Sequence, residues 1–299
     1  IQLLGGNPDS ILHGLYQLFT PSQGLIAPLF VVDSFAQFNM VIILISSLAC
    51  FTLAYGYIEG YGDNKEELYL LMLISTLGAL FMVCADNLAS FFVSLELLSV
   101  PLYGMLAYTY ARGKSLEAGF KYLILSATAS ATMLMGMALI YSNTGTLSFR
   151  QIGMAIVPMF QNGMIMPILV VGTALMLFGI AFKLSAVPFH TWTSDVYQGA
   201  PAPVATFLGS VSKVAMMALG LRFLLSTATL ALPAINTLIV VIASLSMIIG
   251  NILALRQQNI KRLLAYSSIA HIGYVLAIVS AVKVESAGFV SLYMAVYAF

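Results

Sequence analysis

Gly179-Ile180-Ala181-Phe182-Lys183-Leu184-Ser185-Ala186-Val187-Pro188-Phe189-His190 sets a lysine inside an apolar run and closes the run on a proline. That run, residues 164–187, belongs to a series: 35–57, 68–85, 88–108, 118–141, 164–187, 201–225, 232–255 and 263–282, with another opening at 287. A hydrocarbon core of about 30 Å takes about 20 helical residues at about 1.5 Å each, so every complete run can cross it. Hydrocarbon offers no partner to a free backbone group, and runs this long and uniformly apolar must close their own hydrogen bonds as helices, not as alternating barrel strands. The expected fold is all-α: a polytopic transmembrane helix bundle of about nine spans, the last one cut. Proline lacks a backbone donor and clashes with the preceding turn, so one helix should break near Lys183 to Pro188. Broken helices at membrane depth are tolerated where freed groups face water or protein, and in transporters they mark ion paths; an ordinary kink is the competing reading.

Composition agrees. With 61% hydrophobic and 8% charged residues the chain lies outside the range of soluble domains. Twelve Lys and Arg against 11 Asp and Glu leave no basic surface for nucleic acid. Cys50 and Cys84 both sit in apolar runs, which excludes a disulfide framework, a thiolate iron-sulfur site and a four-cysteine zinc site, and they read as packing residues. The 16 methionines read as adaptable filler and define no copper site. Three histidines and the lack of a glycine-rich phosphate loop leave nothing to hold haem, flavin or nicotinamide, so any redox role belongs to partners.

Residues 1–33 mix Gly, Pro, Asp and Gln with a short apolar stretch and no basic n-region, and read as an outer-side surface loop rather than a signal peptide. Residues 34–299 show no composition shift and read as one membrane domain. Because the sequence opens on Ile1 and stops at Phe299 inside an apolar run, it is expected to be a piece lacking both ends. Loop charges orient it: Lys65, Arg112, Lys114, Lys121, Arg256, Lys261 and Arg262 make seven on one side, against three, Arg150, Arg222 and Lys283, on the other. The positive-inside rule puts the first group in the cytoplasm.

Three charges lie well inside spans: Glu96 in Phe91-Phe92-Val93-Ser94-Leu95-Glu96-Leu97-Leu98, Lys183, and Lys213 in Ser210-Val211-Ser212-Lys213-Val214. At about 2.5 to 3.5 kcal/mol each they would cost roughly 8 to 10 kcal/mol unpaired, so pairing and water must offset most of it. Glu96 and Lys183 are expected to pair and to set one another's titration, which makes the pair a candidate proton switch. The bland alternative is a static ion pair with a snorkelling lysine. His271, among Tyr266, Ser267, Ser268 and Tyr274, suits either a proton relay or hydrogen-bonded packing. His190 at the break is a weaker relay candidate, and His13 reads as loop. Thr191 to Pro203 reads as an interfacial segment with Trp192 and Tyr197 at headgroup level and Asp195 or Ser194 capping the next helix. Lys261 and Arg262 read as cytoplasmic anchors, and the small residues Ser126 to Thr132 as a helix-packing surface.

Several motifs carry a resemblance: Glu59-Gly60-Tyr61-Gly62-Asp63-Asn64-Lys65-Glu66-Glu67, Glu96 with Pro101, Ser115-Leu116-Glu117-Ala118, Phe182 to His190, Asp195-Val196-Tyr197-Gln198-Gly199-Ala200-Pro201, and Asn259-Ile260-Lys261-Arg262-Leu263-Leu264-Ala265-Tyr266-Ser267-Ser268. Together, over roughly residues 31–299, they resemble the antiporter-like N subunits of bacterial NADH-quinone oxidoreductase, respiratory complex I. The resemblance implies part of an inverted-repeat antiporter-like fold in the bacterial inner membrane, in contact with other membrane-arm subunits and lipid. It implies proton-channel roles for Glu96, Lys183 and Lys213, a relay position at His271, and a further lysine beyond Phe299. NADH, FMN, iron-sulfur clusters and quinone would belong to partner subunits, with no cofactor in this chain. Thr193-Ser194 departs from the Thr-Pro usual in that motif. The competing functions are a cation-proton antiporter subunit of a multi-subunit exchanger and a structural scaffold.

Overall fold

The computed structural model describes residues 25–27, 29–58, 66–109, 113–161, 167–282 and 286–299. Twelve α-helices are found among them: α1 Ser34–Ile58, α2 Glu66–Cys84, α3 Leu88–Leu106, α4 Gly113–Thr144, α5 Phe149–Gln161, α6 Pro167–Leu184, α7 Thr191–Gly199, α8 Ala202–Gly209, α9 Val211–Ser226, α10 Pro233–Leu255, α11 Ile260–Val282 and α12 Ser286–Ala298. Among the described residues eight helical stretches are long and apolar enough to cross a membrane, and Ala287–Ala298 is a shorter apolar helix where the cut ninth run was expected. The reading of residues 1–33 as a loop lies mostly outside the described residues; of its final part, β1 (Leu25–Ala27) pairs antiparallel with β2 (Phe30–Val31). Lys65, Arg112 and Lys283 of the charge tally also lie outside the described residues.

Helix ends follow local chemistry. Asp33 starts α1, its Oδ1 accepting from the Ala36 N–H at 2.7 Å, and Asn87 starts α3 by accepting from Ala89 N–H at 2.8 Å. Pro233 opens α10, where a missing donor costs nothing. Asn259 accepts from Lys261 N–H at 3.0 Å at the head of α11.

Two features were not foreseen. Residues 202–226 form α8 and α9, separated at Ser210, so a second span is broken just before Lys213. Helix α5 buries Phe149, Ile152 and Ile156 on one face and exposes Arg150 and Met154. It is an amphipathic segment that cannot span, and Gly153 lets it lie close on the end of α9, where a Cβ would stand 2.4 Å from Ser226 O.

The centre of the bundle is α9. The span containing it is 89% buried, against 28% for α10, which is mostly exposed and so faces lipid or other protein. Every residue from Val211 to Leu224 is buried, including Lys213 and Arg222. Helix α4 packs against both α3 and α6. Its approach to α6 relies on facing glycines: a Cβ on Gly136 would stand 2.6 Å from Gly172 O.

Candidate functional site

Lys183 lies in the last turn of α6, 6% exposed, and its Nζ donates to Ser99 Oγ of α3 at 2.8 Å and to Ser126 Oγ of α4 at 2.6 Å. The Tyr122 ring lies 5.7 Å from the ammonium, and Tyr103 OH is hydrogen-bonded to Ser126 Oγ at 2.9 Å. Glu96, half-buried on α3, accepts from Ser130 Oγ at 2.6 Å. Ser126 and Ser130 are one helical turn apart, so a single face of α4 offers one hydroxyl to the lysine and the next to the carboxylate.

This corrects the expected ion pair. The charges are within electrostatic reach, but no Glu96 oxygen comes within 4.0 Å of Lys183 Nζ. The reason is geometric: α3 and α6 both pack on α4, and the α4 serines bridge towards each charge. The reading of Ser126 to Thr132 as packing alone is corrected with it. Their spacing was the available signal, since Ser126 and Ser130 turn inward while Thr128 and Thr132 bond their own helix.

The expected break is present. Helix α6 stops at Leu184, Ser185 takes a left-handed conformation with φ 65°, and Ser246 Oγ of α10 accepts the Val187 N–H at 2.9 Å. A serine gains nothing intrinsically from that conformation, so surrounding contacts hold it there. Four buried polar atoms in this segment, Ser185 Oγ, His190 Nδ1, Trp192 Nε1 and Thr193 Oγ1, have no hydrogen-bonding partner among the described residues.

The segment that follows is not an interfacial anchor, because Trp192 is 2% exposed and packs between Phe182 and Tyr122, at centroid distances of 5.3 and 5.0 Å. Nor does Asp195 cap a helix. It lies within α7 and pairs with Arg262 of α11 at 2.7 Å and Lys121 of α4 at 3.0 Å. Burial works against its charge, but hydrogen bonds from Lys121 and Arg262 and their positive charges outweigh that and hold its carboxyl below the usual range. Arg262 and Lys261, which donates to Ala200 O at 2.8 Å, thus have protein partners as well as an end-of-span position.

Lys213 forms the second cluster. It is 1% exposed, hydrogen-bonded to Ser268 Oγ of α11, and 6.0 Å from the Tyr197 ring. No carboxylate pairs with it among the described residues. His271 stands one turn beyond Ser268, within electrostatic reach of Lys213, and its Nδ1 shares a 2.7 Å hydrogen bond with Tyr293 OH. A cleft of about 490 Å³ bordered by Tyr197, Ser210, Lys261, Ser268, His271 and Tyr297 reaches this cluster. Among the described residues no group of three or more His, Cys, Asp or Glu could hold a metal.

Of the four expected site residues, Glu96 and Lys183 fall together, as do Lys213 and His271, and α7 lies between the two groups. Sequence reasoning missed Ser99, Ser126, Ser130, Ser268 and Tyr293. It also missed a buried pair at the other end of α9, where Arg222 grips Asp33 through two hydrogen bonds of 2.7 and 2.8 Å. Loop position and charge tally put both residues on the outer side, and their contact sets them at one end of the bundle.

Comparison with known proteins gives a consistent result. The family model described as NADH:quinone oxidoreductase/Mrp antiporter, transmembrane, matches residues 85–299. A protein named NADH-quinone oxidoreductase subunit N from Psychrobacter arcticus is 62% identical over 91% of this chain and 54% of its own length. A chain of respiratory complex I from Thermus thermophilus, solved with bound aureothin, superposes with a TM-score of 0.77 at 33% identity, covering 97% of this chain and 60% of that one. A chain of the Mrp complex from Dietzia sp. DQ12-45-1b gives 0.75 at 25% identity over 90% of this chain and 50% of its own. The chain thus spans about half the length of the curated relatives it matches. A multi-pass, antiporter-like helix bundle with charges buried beside a broken helix, matched by the family model over most of its length, belongs to the NADH:quinone oxidoreductase/Mrp antiporter membrane family.

Proposed function

We propose that this chain is part of a proton-translocating membrane-arm subunit of NADH-quinone oxidoreductase in a bacterial inner membrane. Electron transfer takes place in partner subunits, which carry NADH, FMN, iron-sulfur clusters and quinone. The observation that carries the reading is the ammonium of Lys183, buried between the hydroxyls of Ser99 and Ser126, with Glu96 held by Ser130 one turn along the same helix as Ser126. A hydroxyl donates and accepts at once, so Ser126 and Ser130, with a water bridging the turn between them, can pass a proton where a direct ion pair would hold it. Helix movement that alters the Glu96–Lys183 separation changes the lysine's proton affinity, each tenfold change being about 1.4 kcal/mol. Water is the partner that suits the four orphaned polar atoms of residues 185–193, since a buried group left unsatisfied costs about 1–3 kcal/mol. From there the path leads past α7 to Lys213, Ser268 and His271.

Lys183→Ala and Glu96→Ala in the assembled enzyme test this. Each is expected to cut NADH-driven proton uptake into membrane vesicles, and parental uptake in both removes the mechanism. A second reading, cation-proton exchange, draws on the likeness to the Mrp complex chain. Sodium-dependent proton movement without NADH would favour it. Normal assembly and pumping after removal of all three buried charges would favour a scaffold.

A further inference from the structure

We propose that Asp195 is a positioning residue whose two-armed clasp sets the spacing between the Lys183 and Lys213 sites. The proposal rests on the proton-carrying role of both lysines given above.

Helix α7 follows the break after Lys183 and precedes the span that carries Lys213, and its side chains reach both sites. Trp192 packs on Tyr122, the ring beside the Lys183 ammonium, while Tyr197 lies beside the Lys213 ammonium. Rotation or sliding of this short helix therefore moves the surroundings of both lysines together. Asp195 opposes such movement in two directions. Its Oδ2 takes Lys121 of α4, the residue next to Tyr122 and on the helix that provides Ser126 and Ser130. Its Oδ1 takes Arg262 of α11, the helix that provides Ser268 and His271.

Neighbouring contacts converge on the same helix. Gln198 accepts from Arg262 at 3.2 Å, Tyr266 OH donates to Ser194 at 3.2 Å, and Glu117 holds the other side of Lys121 at 2.6 Å. Gly199 meets α4 so closely that a Cβ there would stand 2.4 Å from Lys114 O. Partly exposed pairs such as those of Asp195 are screened by solvent and contribute too little to hold the bundle together. Small energies suffice, however, to select one register of a nine-residue helix already packed on both sides.

The test uses the whole complex in membrane vesicles. Protons moved per NADH oxidised, normalised to assembled complex, are measured across pH for Asp195→Asn, Asp195→Glu, Lys121→Gln, Arg262→Gln and Lys183→Ala. Asp195→Asn is expected to lower the proton yield at least twofold and to shift its pH profile, with Asp195→Glu restoring most of both. Lys121→Gln and Arg262→Gln, which each remove one arm, are expected to give smaller losses. Parental yield and profile in Asp195→Asn overturn the proposal. If that variant does not assemble, parental yield in both one-arm variants overturns it. Loss of pumping in Lys183→Ala alongside parental Asp195→Asn removes the clasp alone, whereas parental pumping in Lys183→Ala removes the proton-carrying reading beneath it.

Discussion

Glu96 and Lys183 do not touch: Ser130 donates to one, Ser126 accepts from the other, and a single turn of α4 separates the two serines. A lysine bonded to hydroxyls is held less tightly than one locked on a carboxylate. Hydrogen bonds to charged groups contribute about 1.5–3 kcal/mol, so losing one beside a buried ammonium should matter. Ser126→Ala is expected to lower proton pumping per assembled complex about tenfold, and Ser126→Thr, which keeps the hydroxyl, to preserve most of it. Proton uptake by vesicles containing each variant decides this; equal pumping in Ser126→Ala and the parent removes Ser126 from the path.

The distance from α4 to Lys183 depends on bare backbone. A Cβ at Gly136 would stand 2.6 Å from Gly172 O and 2.9 Å from the Met176 amide nitrogen, and neither backbone atom can swing aside. Gly136→Ala should force α4 and α6 apart at an overpacking cost of about 1–3 kcal/mol, weakening the Ser126–Lys183 contact with it. Gly56→Ala is the control, since nothing lies within 4 Å of its added Cβ and alanine favours helix. A lower Tm and lower pumping in the first variant alone are the expected outcome.

The Asp33–Arg222 pair makes a separate claim about stability. Both side chains are buried, and breaking such a pair from one side costs about 3–5 kcal/mol because it strands the other charge. Asp33→Asn keeps a capping oxygen for α1 but loses the charge, so it isolates that cost. The yield of assembled complex should fall sharply in Asp33→Asn and recover in Asp33→Asn with Arg222→Met. Normal yield in the single variant would show that Arg222 finds its counter-charge elsewhere.

What the sequence revealed and what it hid divide along physical lines. Crossing oil demands long apolar runs, so the spans could be counted, and Pro188 marked its break because no other residue lacks the backbone donor. Gly209-Ser210 carried a weaker sign, since a glycine or a serine sits in many helices without ending them. Glu96, Lys183 and Lys213 were conspicuous because a charge in an apolar run has no cheap explanation. Their hydrogen-bonding partners were not, since serines such as Ser99 and Ser268 are equally at home bonded to their own helix. Asp33 and Arg222 lie 189 residues apart in sequence and were read separately as loop charges.

Asp195 gives a pH dependence whose sign can be worked out. Its carboxyl is held below the usual value, so its stabilising contribution is complete above the unfolded-state value of about 3.9 and is lost as pH falls through the lower folded-state value. The difference in Tm between the detergent-solubilised parent complex and Asp195→Asn should therefore be constant from about pH 6 to about pH 8 and should shrink only below about pH 4. A difference that changes across neutral pH would assign the titration to another group.

Lys213 separates function from stability most sharply. Its ammonium is 1% exposed, bonds Ser268, and has no carboxylate paired with it among the described residues, so the fold carries its desolvation cost with little return. Methionine has nearly the same length, fits an apolar environment and demands no partner. Replacing buried ionic groups by well-packed apolar ones is often neutral or stabilising by about 1–4 kcal/mol. Lys213→Met is thus expected to leave the Tm of the assembled complex unchanged or raise it while abolishing proton pumping. Arginine retains a charge that stays protonated throughout the working range, and Lys213→Arg should block pumping for the opposite reason, because the proton cannot leave. Pumping retained in the methionine variant would place Lys213 off the path. Pumping retained in the arginine variant alone would make it a fixed charge and not a carrier.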